Sequence, residues 1–440
     1  MSHVAPTAFN ASASLTSSLV DLIKSKPISD KDFHGAAMFA LDAIANIAGG
    51  TCSEDTGAVF AWARSEPLST GRKAFVLGAC ASVLELDAMH RESAVHAGTV
   101  VVPALLAIAQ GRQFGGRDFL TALLKGSEAA FRVGRAAGPS HYKIYQNTAT
   151  CGPYGSAMAT ALLLDLDNAQ TVHALGNAGT QSSGLWEYRD TGAMTKQLHA
   201  GRAAESGIIA AQLAARGFTG PLKILEGSRG FFRAACPDAD PGAVLRNPEG
   251  EWGLLGSSIK PWPSSRHTHP AIDAALGLSA EMKGRQVESA DIEAYQVTLD
   301  LCGNANPQTP HQAKSSVQYC VAAALNDGRV DLSSFSAEAF ARNQALTRKI
   351  TLKAAEPFAS AYPKAWGAQV LVRFTDGTQS ICARKNVKGD PEAPLSEEEL
   401  KDKARALLQL GGIADPEPLM QSILRMANDA PCPALSFNWA

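Results

Sequence analysis

Between Ser14 and Gly256 the chain runs through apolar segments at helical spacing that have almost no polar face, and this limits the fold more than any motif does. "TVVVPALLAIAQG", "GSAMATALLLDLD" and "RAAESGIIAAQLAARG" are built chiefly from Ala, Gly, Leu, Ile and Val. A helix that is apolar nearly all round must be covered on every side, and small residues let its neighbours approach closely. "KDFHGAAMFALDAIANIAGG" opens after Ser29 and Asp30, both good capping residues, and stops at Gly49 and Gly50. "RKAFVLGACASVLELDAMH" and "RDFLTALLKGSEAAFRVGRAAG" read as helices too. The longest apolar run, near "AGTVVVPALLAIAQG", contains Pro103 and falls short of the roughly 20 residues a membrane span needs. A large helical bundle is therefore expected, with no membrane contact.

The character changes after "IKPWPSSRHTHP", where Pro261, Pro263 and Pro270 interrupt helical continuity. A helix in "AIDAALGLSAEMKG" is followed by strand-like alternation in "IEAYQVTL". "RKITLKA" and "AQVLVRFTDGTQSICARK" supply β-branched runs, the second with an Asp376-Gly377 hairpin turn. "KSSVQYCVAAALNDG" between them is helical, and after "NVKGDPEAPLS" the stretch "SEEELKDKARALLQLGG" opens with a Ser-x-x-Glu capping box. A chain of 440 residues exceeds one comfortable core. The expected fold is mainly α: an all-helical domain from 1–262 and 395–440, with a smaller α+β domain, 263–394, inserted in it.

A net charge of −2 gives no footprint for nucleic acid, so a small-molecule partner is expected. The eight cysteines are scattered without a C-x-x-C pair, which fits a reducing compartment and apolar filling. His267 and His269 form an H-x-H pair without nearby carboxylates or thiols, too little for a metal site. The first twenty residues lack a basic region followed by an apolar core, so the expectation is a cytoplasmic protein without a secretory signal.

Four segments place polar residues in apolar surroundings. "ELDAMHRESAVHAGTVVVP" carries Glu85, Asp87, His90, Arg91 and His96; "SHYKIYQNTATCGPYGSA" carries His141, Tyr145 and Gln146 ahead of a Gly-Pro-Tyr-Gly turn. "MTKQLHAGRAA" gathers Lys196, His199 and Arg202, and "KPWPSSRHTHP" holds Arg266 at the expected domain boundary. An unpaired cation among tightly packed helices costs several kcal/mol, so these charges are either paired or meet a ligand. Ordinary readings stand beside the functional ones. Lys196 and Arg202 suit a solvated pair at a helix start, and Glu85 and Asp87 suit pairing with Arg91. His96 suits backbone hydrogen bonding, Tyr145 and Tyr319 suit packed aromatics, and His269 suits a structural role.

The order of "ELDAMHRESAVHAGTVVVPALLA", "NTATCGPYGSA", "MTKQLHAGRAAESGIIAAQLAARGFTGPLKILEGSRGFF", "KPWPSSRHTHPAID" and "HQAKSSVQYCVAAAL" resembles the MmgE/PrpD family over about Ala40 to Gly328. That family is known for 2-methylcitrate dehydratase, cis-aconitate decarboxylase and iminodisuccinate epimerase. The resemblance implies chemistry on a small polycarboxylate without a cofactor, a helical domain paired with an α+β domain, and a homodimer. It implies catalytic roles for Lys196, Tyr145, His96 and Asp87. Arg202, His199, Gln146, Arg91, Arg266 and Glu85 are implied in substrate binding, with Arg202 and a helix N-terminus beside it holding a carboxylate.

The chain departs from the family pattern at two places. Glu85-Leu86-Asp87-Ala88 stands where a D-hydrophobic-D-D run is usual, and Gln146 stands where a histidine is usual. Glutamine cannot titrate, whereas expelling hydroxide needs a competent acid. The departures favour an epimerase of iminodisuccinate type. The alternatives are a family dehydratase or decarboxylase, and a silent polycarboxylate-binding protein.

Overall fold

The computed structural model describes residues 14–435 except 66, 111 and 283. Residues 1–13, which carry most of the expectation about a secretory signal, lie outside the described residues. The chain divides into two compact units: Met1–Val83, Glu92–Gly256 and Ala404–Ala440 form one, and Leu84–Arg91 with Ser257–Lys403 form the other. The second unit is larger than the expected 263–394 because it runs from Ser257 to Lys403 and takes in Leu84–Arg91. The helix Thr70–Val83 stops before this segment instead of running on through "LELDAMH". Glu85 turns the backbone into the left-handed region (φ 60°). Met89 and Ser258 then exchange backbone hydrogen bonds of 2.9 and 2.8 Å, which ties the segment to the second unit.

The first unit is built from helices. Ser29 caps Asp30–Gly50 reciprocally: its Oγ accepts from Asp32 N, and Asp32 Oδ2 accepts from Ser29 N at 2.8 Å. The helix Thr195–Ala214 packs against Thr70–Val83, Asn147–Leu163 and Asn168–Gly179. Small residues make that possible. Ser156 Oγ donates to Ala203 O at 2.6 Å, and a Cβ on Gly207 would sit 2.1 Å from Ser156 Oγ and 2.3 Å from Ala157 N. Two local expectations are corrected. The Gly-Pro-Tyr-Gly stretch is no turn: Pro153 lies inside Asn147–Leu163, where the flanking helices hold a helix despite one missing amide. Thr195–Ala214 also begins seven residues before Arg202, so Arg202 lies in the helix interior and not at its start.

The second unit carries a four-stranded mixed sheet in the order β2-β1-β3-β4, made of β1 (Val287–Ala294), β2 (Ile350–Ala354), β3 (Ala368–Phe374) and β4 (Gln379–Arg384). β1 runs parallel to β2 and antiparallel to β3; Ile292 lies opposite Leu352 on one side and Val370 on the other. The Asp376-Gly377 hairpin joins β3 to β4, with Val370 opposite Cys382. Alternate β3 residues Ala368, Val370, Val372 and Phe374 face a core shared with His269–Gly277 and Val317–Asp327. Tyr319 belongs to that core, its hydroxyl donating to Ser334 O at 2.6 Å. The alternation of "IEAYQVTL" ends at Ala294, and Gln296–Cys302 is helical. Among the described residues no single helix is long and apolar enough to cross a membrane.

If the approach at Gly207 organises the helical unit, Gly207→Ala lowers unfolding stability by about 1–3 kcal/mol, the usual penalty for overpacking. Gly57→Ala, where nothing lies within 4 Å of the added methyl, leaves it unchanged or slightly raised. Calorimetric melting of the two variants beside the native chain checks the contrast.

Candidate active site

In the helical unit the polar residues converge around the start of Thr195–Ala214. Lys196 is half-buried in its first turn, and His199 follows one turn later on a neighbouring face. The buried ring of His199 donates through Nδ1 to Gln146 Oε1 at 2.7 Å, and Tyr188 meets it edge-on at 5.4 Å. This bond assigns the tautomer, leaving Nε2 as the basic nitrogen. Burial pushes the His199 imidazolium down to about 4, so the ring is neutral at pH 7. Gln146 precedes the first residue of Asn147–Leu163, and its own amide donates to Gly184 O at 3.0 Å. Gly184 adopts φ 142°, and a Cβ there would lie 2.3 Å from Ala149 Cβ and 3.4 Å from the His199 ring. The positive φ and the close approach to Ala149 call for glycine at this point beside the imidazole.

Tyr145 ends the Pro139–Ile144 helix, with its ring stacked on His141 at 4.8 Å. His141 itself is fully engaged: Nδ1 donates to Ala235 O and Nε2 accepts from Thr150 Oγ1, both at 2.8 Å. Desolvation lowers its pKa, and the ring is a structural support for Tyr145. His96 is buried where Ala97–Thr99 begins; its backbone N donates to Thr148 Oγ1 at 3.0 Å and its carbonyl accepts from Thr99 Oγ1 at 2.8 Å. Arg202 is elsewhere. Its side chain is half exposed and pairs with Glu205, which removes the expected link between Arg202 and a helix N-terminus.

The sheet unit has its own buried charge cluster, and its centre is a residue the sequence reading passed over. The Lys260 side chain is fully buried, with Nζ donating to Glu85 O at 3.0 Å, Glu85 Oε2 at 3.3 Å and Asp87 Oδ1 at 3.3 Å. Lys403 Nζ donates to Leu86 O at 2.7 Å, so two lysines fasten the same short turn. Glu85 and Asp87 thus hold Lys260, where pairing with Arg91 was one expectation. Arg91 instead meets Asp390 at 3.3 Å and Glu392 at 2.6 Å. Arg266 also binds Asp390, which accepts from Ser258 Oγ at 2.6 Å as well. The carboxylates that Arg91 and Arg266 meet here are the protein's own. His269 is buried, with Nε2 donating to Ser264 O at 3.3 Å, and desolvation together with Arg266, Lys260 and Lys403 keeps its pKa well below the usual value. His267 donates or accepts through Nδ1 at Tyr295 Oη, 2.8 Å away, and stacks on Trp366 at 4.4 Å.

Comparisons with known proteins agree with both units. The MmgE/PrpD N-terminal domain matches residues 31–243 and the MmgE/PrpD C-terminal domain matches 262–420. A cis-aconitate decarboxylase-like protein of Aspergillus oryzae is 27% identical over 389 residues, 81% of this chain and 80% of the relative. The cis-aconitate decarboxylase of Aspergillus terreus is 28% identical over 75% of this chain and 72% of its own. The 2-methylcitrate dehydratase of Salmonella typhimurium is 26% identical over 51% of this chain and 49% of its own. These relatives are enzymes named for lyase reactions.

The depressed pKa of His199 ties stability to pH. The unfolded chain takes up this proton near the ordinary histidine value of about 6.5 and the folded chain only near 4, so stability falls as pH drops through that window. The loss by pH 4 is on the order of 3 kcal/mol for this one group. In His199→Gln the fall in melting temperature between pH 7 and pH 4 is shallower than in the native chain, which thermal scans across that range check.

Proposed function

Since this chain belongs to the MmgE/PrpD family, we propose that it is a cofactor-independent lyase acting at a carbon next to a carboxylate of a small polycarboxylate. What carries the reading is the position of Lys196 in the first turn of a helix that presents a neutral, oriented His199 three residues later. Decarboxylation breaks the bond to the carboxyl carbon and leaves its electron pair on the neighbouring carbon, which then takes a proton. Dehydration removes a proton there and expels hydroxide from the next carbon. Both steps need an acid-base group and donors facing the charge that develops.

Lys196 is the proposed acid-base group. His199 offers Nε2 as an acceptor while Gln146 fixes the ring, and Tyr145 and His96 are the proposed further donors of this unit. In the sheet unit the proposed proton-bearing residue is Lys260, with Asp87 and Glu85 positioning it. A cytoplasmic enzyme whose partner is a small polycarboxylate, with no nucleic acid or membrane involved, completes the reading.

The decarboxylase-named relatives cover more of the chain than the dehydratase, which favours loss of carbon dioxide as the first reaction to assay. Epimerisation at the same kind of carbon is the second reading, favoured by one observation: the Gln146–His199 pair supplies no strong acid for a leaving hydroxide.

Incubation with a panel of di- and tricarboxylates, followed by carbon dioxide release and by absorbance of unsaturated acids, tests the lyase reading; turnover of none of them contradicts it. On an active substrate, Lys196→Ala cuts turnover by about 10² to 10⁴, the worth of a general acid-base group. Its melting temperature stays unchanged or rises slightly, as expected when a half-buried cation is removed. A destabilised variant that keeps full activity per folded molecule ends the assignment to Lys196.

A further inference from the structure

The sheet unit carries a cavity of about 820 Å³ where the helices Val317–Asp327 and Ala337–Thr347 end beside the start of β1. None of its lining residues belongs to the candidate active site. Its size falls within the roughly 300–1,000 Å³ of small-molecule sites. The floor is apolar: Leu325 and Leu346 are buried, Met282 and Val287 are partly buried, and all four pack on the core of this unit. Around it stand Arg285, Arg342 and Lys349, with Asp327 the one acid lining the cavity among the described residues.

Two of these cations are held in place by the protein itself. Arg342 donates to both oxygens of Asp327, from Nε to Oδ1 at 3.1 Å and from Nη2 to Oδ2 at 3.0 Å, and Asn343 Nδ2 adds a bond to Oδ2 at 3.2 Å. The carboxylate is thereby engaged on both sides, while only two of the five guanidinium N–H groups are used. Arg285 lies over the Phe374 ring, 3.4 Å from its centroid, and pairs at 3.5 Å with Asp376, which is exposed and does not line the cavity. Lys349 is exposed and has no ion-pair partner among the described residues. Guanidinium groups positioned in advance lose little freedom when a ligand arrives.

The charge balance decides what that ligand is. Each of the two helix C-termini contributes about half a negative charge, so together with Asp327 they leave the three cations a surplus of roughly one positive charge. The surplus favours an anion, and the floor favours one with an apolar body. We propose that this cavity binds a small organic anion, its carboxylate or phosphate head on Lys349 and Arg342 and its apolar body against Leu325, Leu346 and Met282. Gly328 leaves one side open: it ends its helix in the left-handed region (φ 63°), and a methyl there would meet nothing within 4 Å. The site stands independently of the reaction proposed above.

Phenyl phosphate and phenylacetate, titrated separately into the full chain carrying labelled methionine methyls, test the proposal by nuclear magnetic resonance, with Met282→Leu assigning the Met282 signal. At least one probe is expected to move that signal saturably, and the tighter of the two tells a phosphate-bearing from a carboxylate-bearing ligand. Inorganic phosphate or acetate, which lack the apolar body, bind more weakly than the matching phenyl compound. Lys349→Glu, shown to be folded by circular dichroism, weakens binding about tenfold or more, because it replaces an attraction with a repulsion. A Met282 signal that neither probe moves at millimolar concentration overturns the proposal, as does equal binding by Lys349→Glu. So does a phenyl compound no tighter than its matching small anion, and this comparison on the native chain remains decisive if Lys349→Glu fails to fold.

Discussion

The helical unit depends on how closely the helix Thr195–Ala214 approaches its neighbours. Gly207 lies against Ser156 and Ala157, and Ser156 reaches across to Ala203 O. That contact fixes the helix in rotation as well as position, because a turn of a few tens of degrees would drive a Cβ into backbone atoms. Once the rotation is fixed, so is the direction of each polar side chain. His199 is turned inward to Gln146, Lys196 lies in the first turn beside it, and Arg202 with Glu205 is turned outward. One packing constraint therefore turns His199 toward the interior and the Arg202–Glu205 ion pair toward solvent.

The two units bury polar groups in different ways, each suited to a different task. In the helical unit His199 stays neutral, and one hydrogen bond to an amide costs little desolvation while leaving Nε2 available. In the sheet unit Lys260 is buried against two carboxylates, an arrangement that is strongly destabilising only when a partner is removed. A cluster like this is expected to be rigid, because each member is left unpaired if another moves. Asp390 does similar work for Arg91, Arg266 and Ser258.

What the sequence shows plainly is local. The Ser29 cap, the Ser396 box and the Asp376-Gly377 hairpin all appear as read, because each is decided by residues within a few positions of one another. Lys196 and His199 stand out in the sequence as polar residues in apolar surroundings, and both lie near the start of one helix. Lys260 was not, because its carboxylates lie 173 and 175 residues away and a lone lysine before Pro-Trp-Pro carries no spacing signal. Arg202 was misplaced because the helix begins at Thr195, and the side chain of Met194 before it makes no cap to mark the start. Pro153 reads as a turn residue, and tertiary packing overrides that preference.

The central claim is that the Lys196–His199 end of this helix handles a proton at a carbon beside a carboxylate. Reaction in deuterium oxide tests it most directly, with nuclear magnetic resonance observing that carbon in a turned-over polycarboxylate. The account predicts deuterium incorporated at one stereochemically defined position, at a rate that falls with turnover in Lys196→Ala. Product formed with no solvent deuterium at that carbon, or incorporation that is the same in Lys196→Ala, would contradict it.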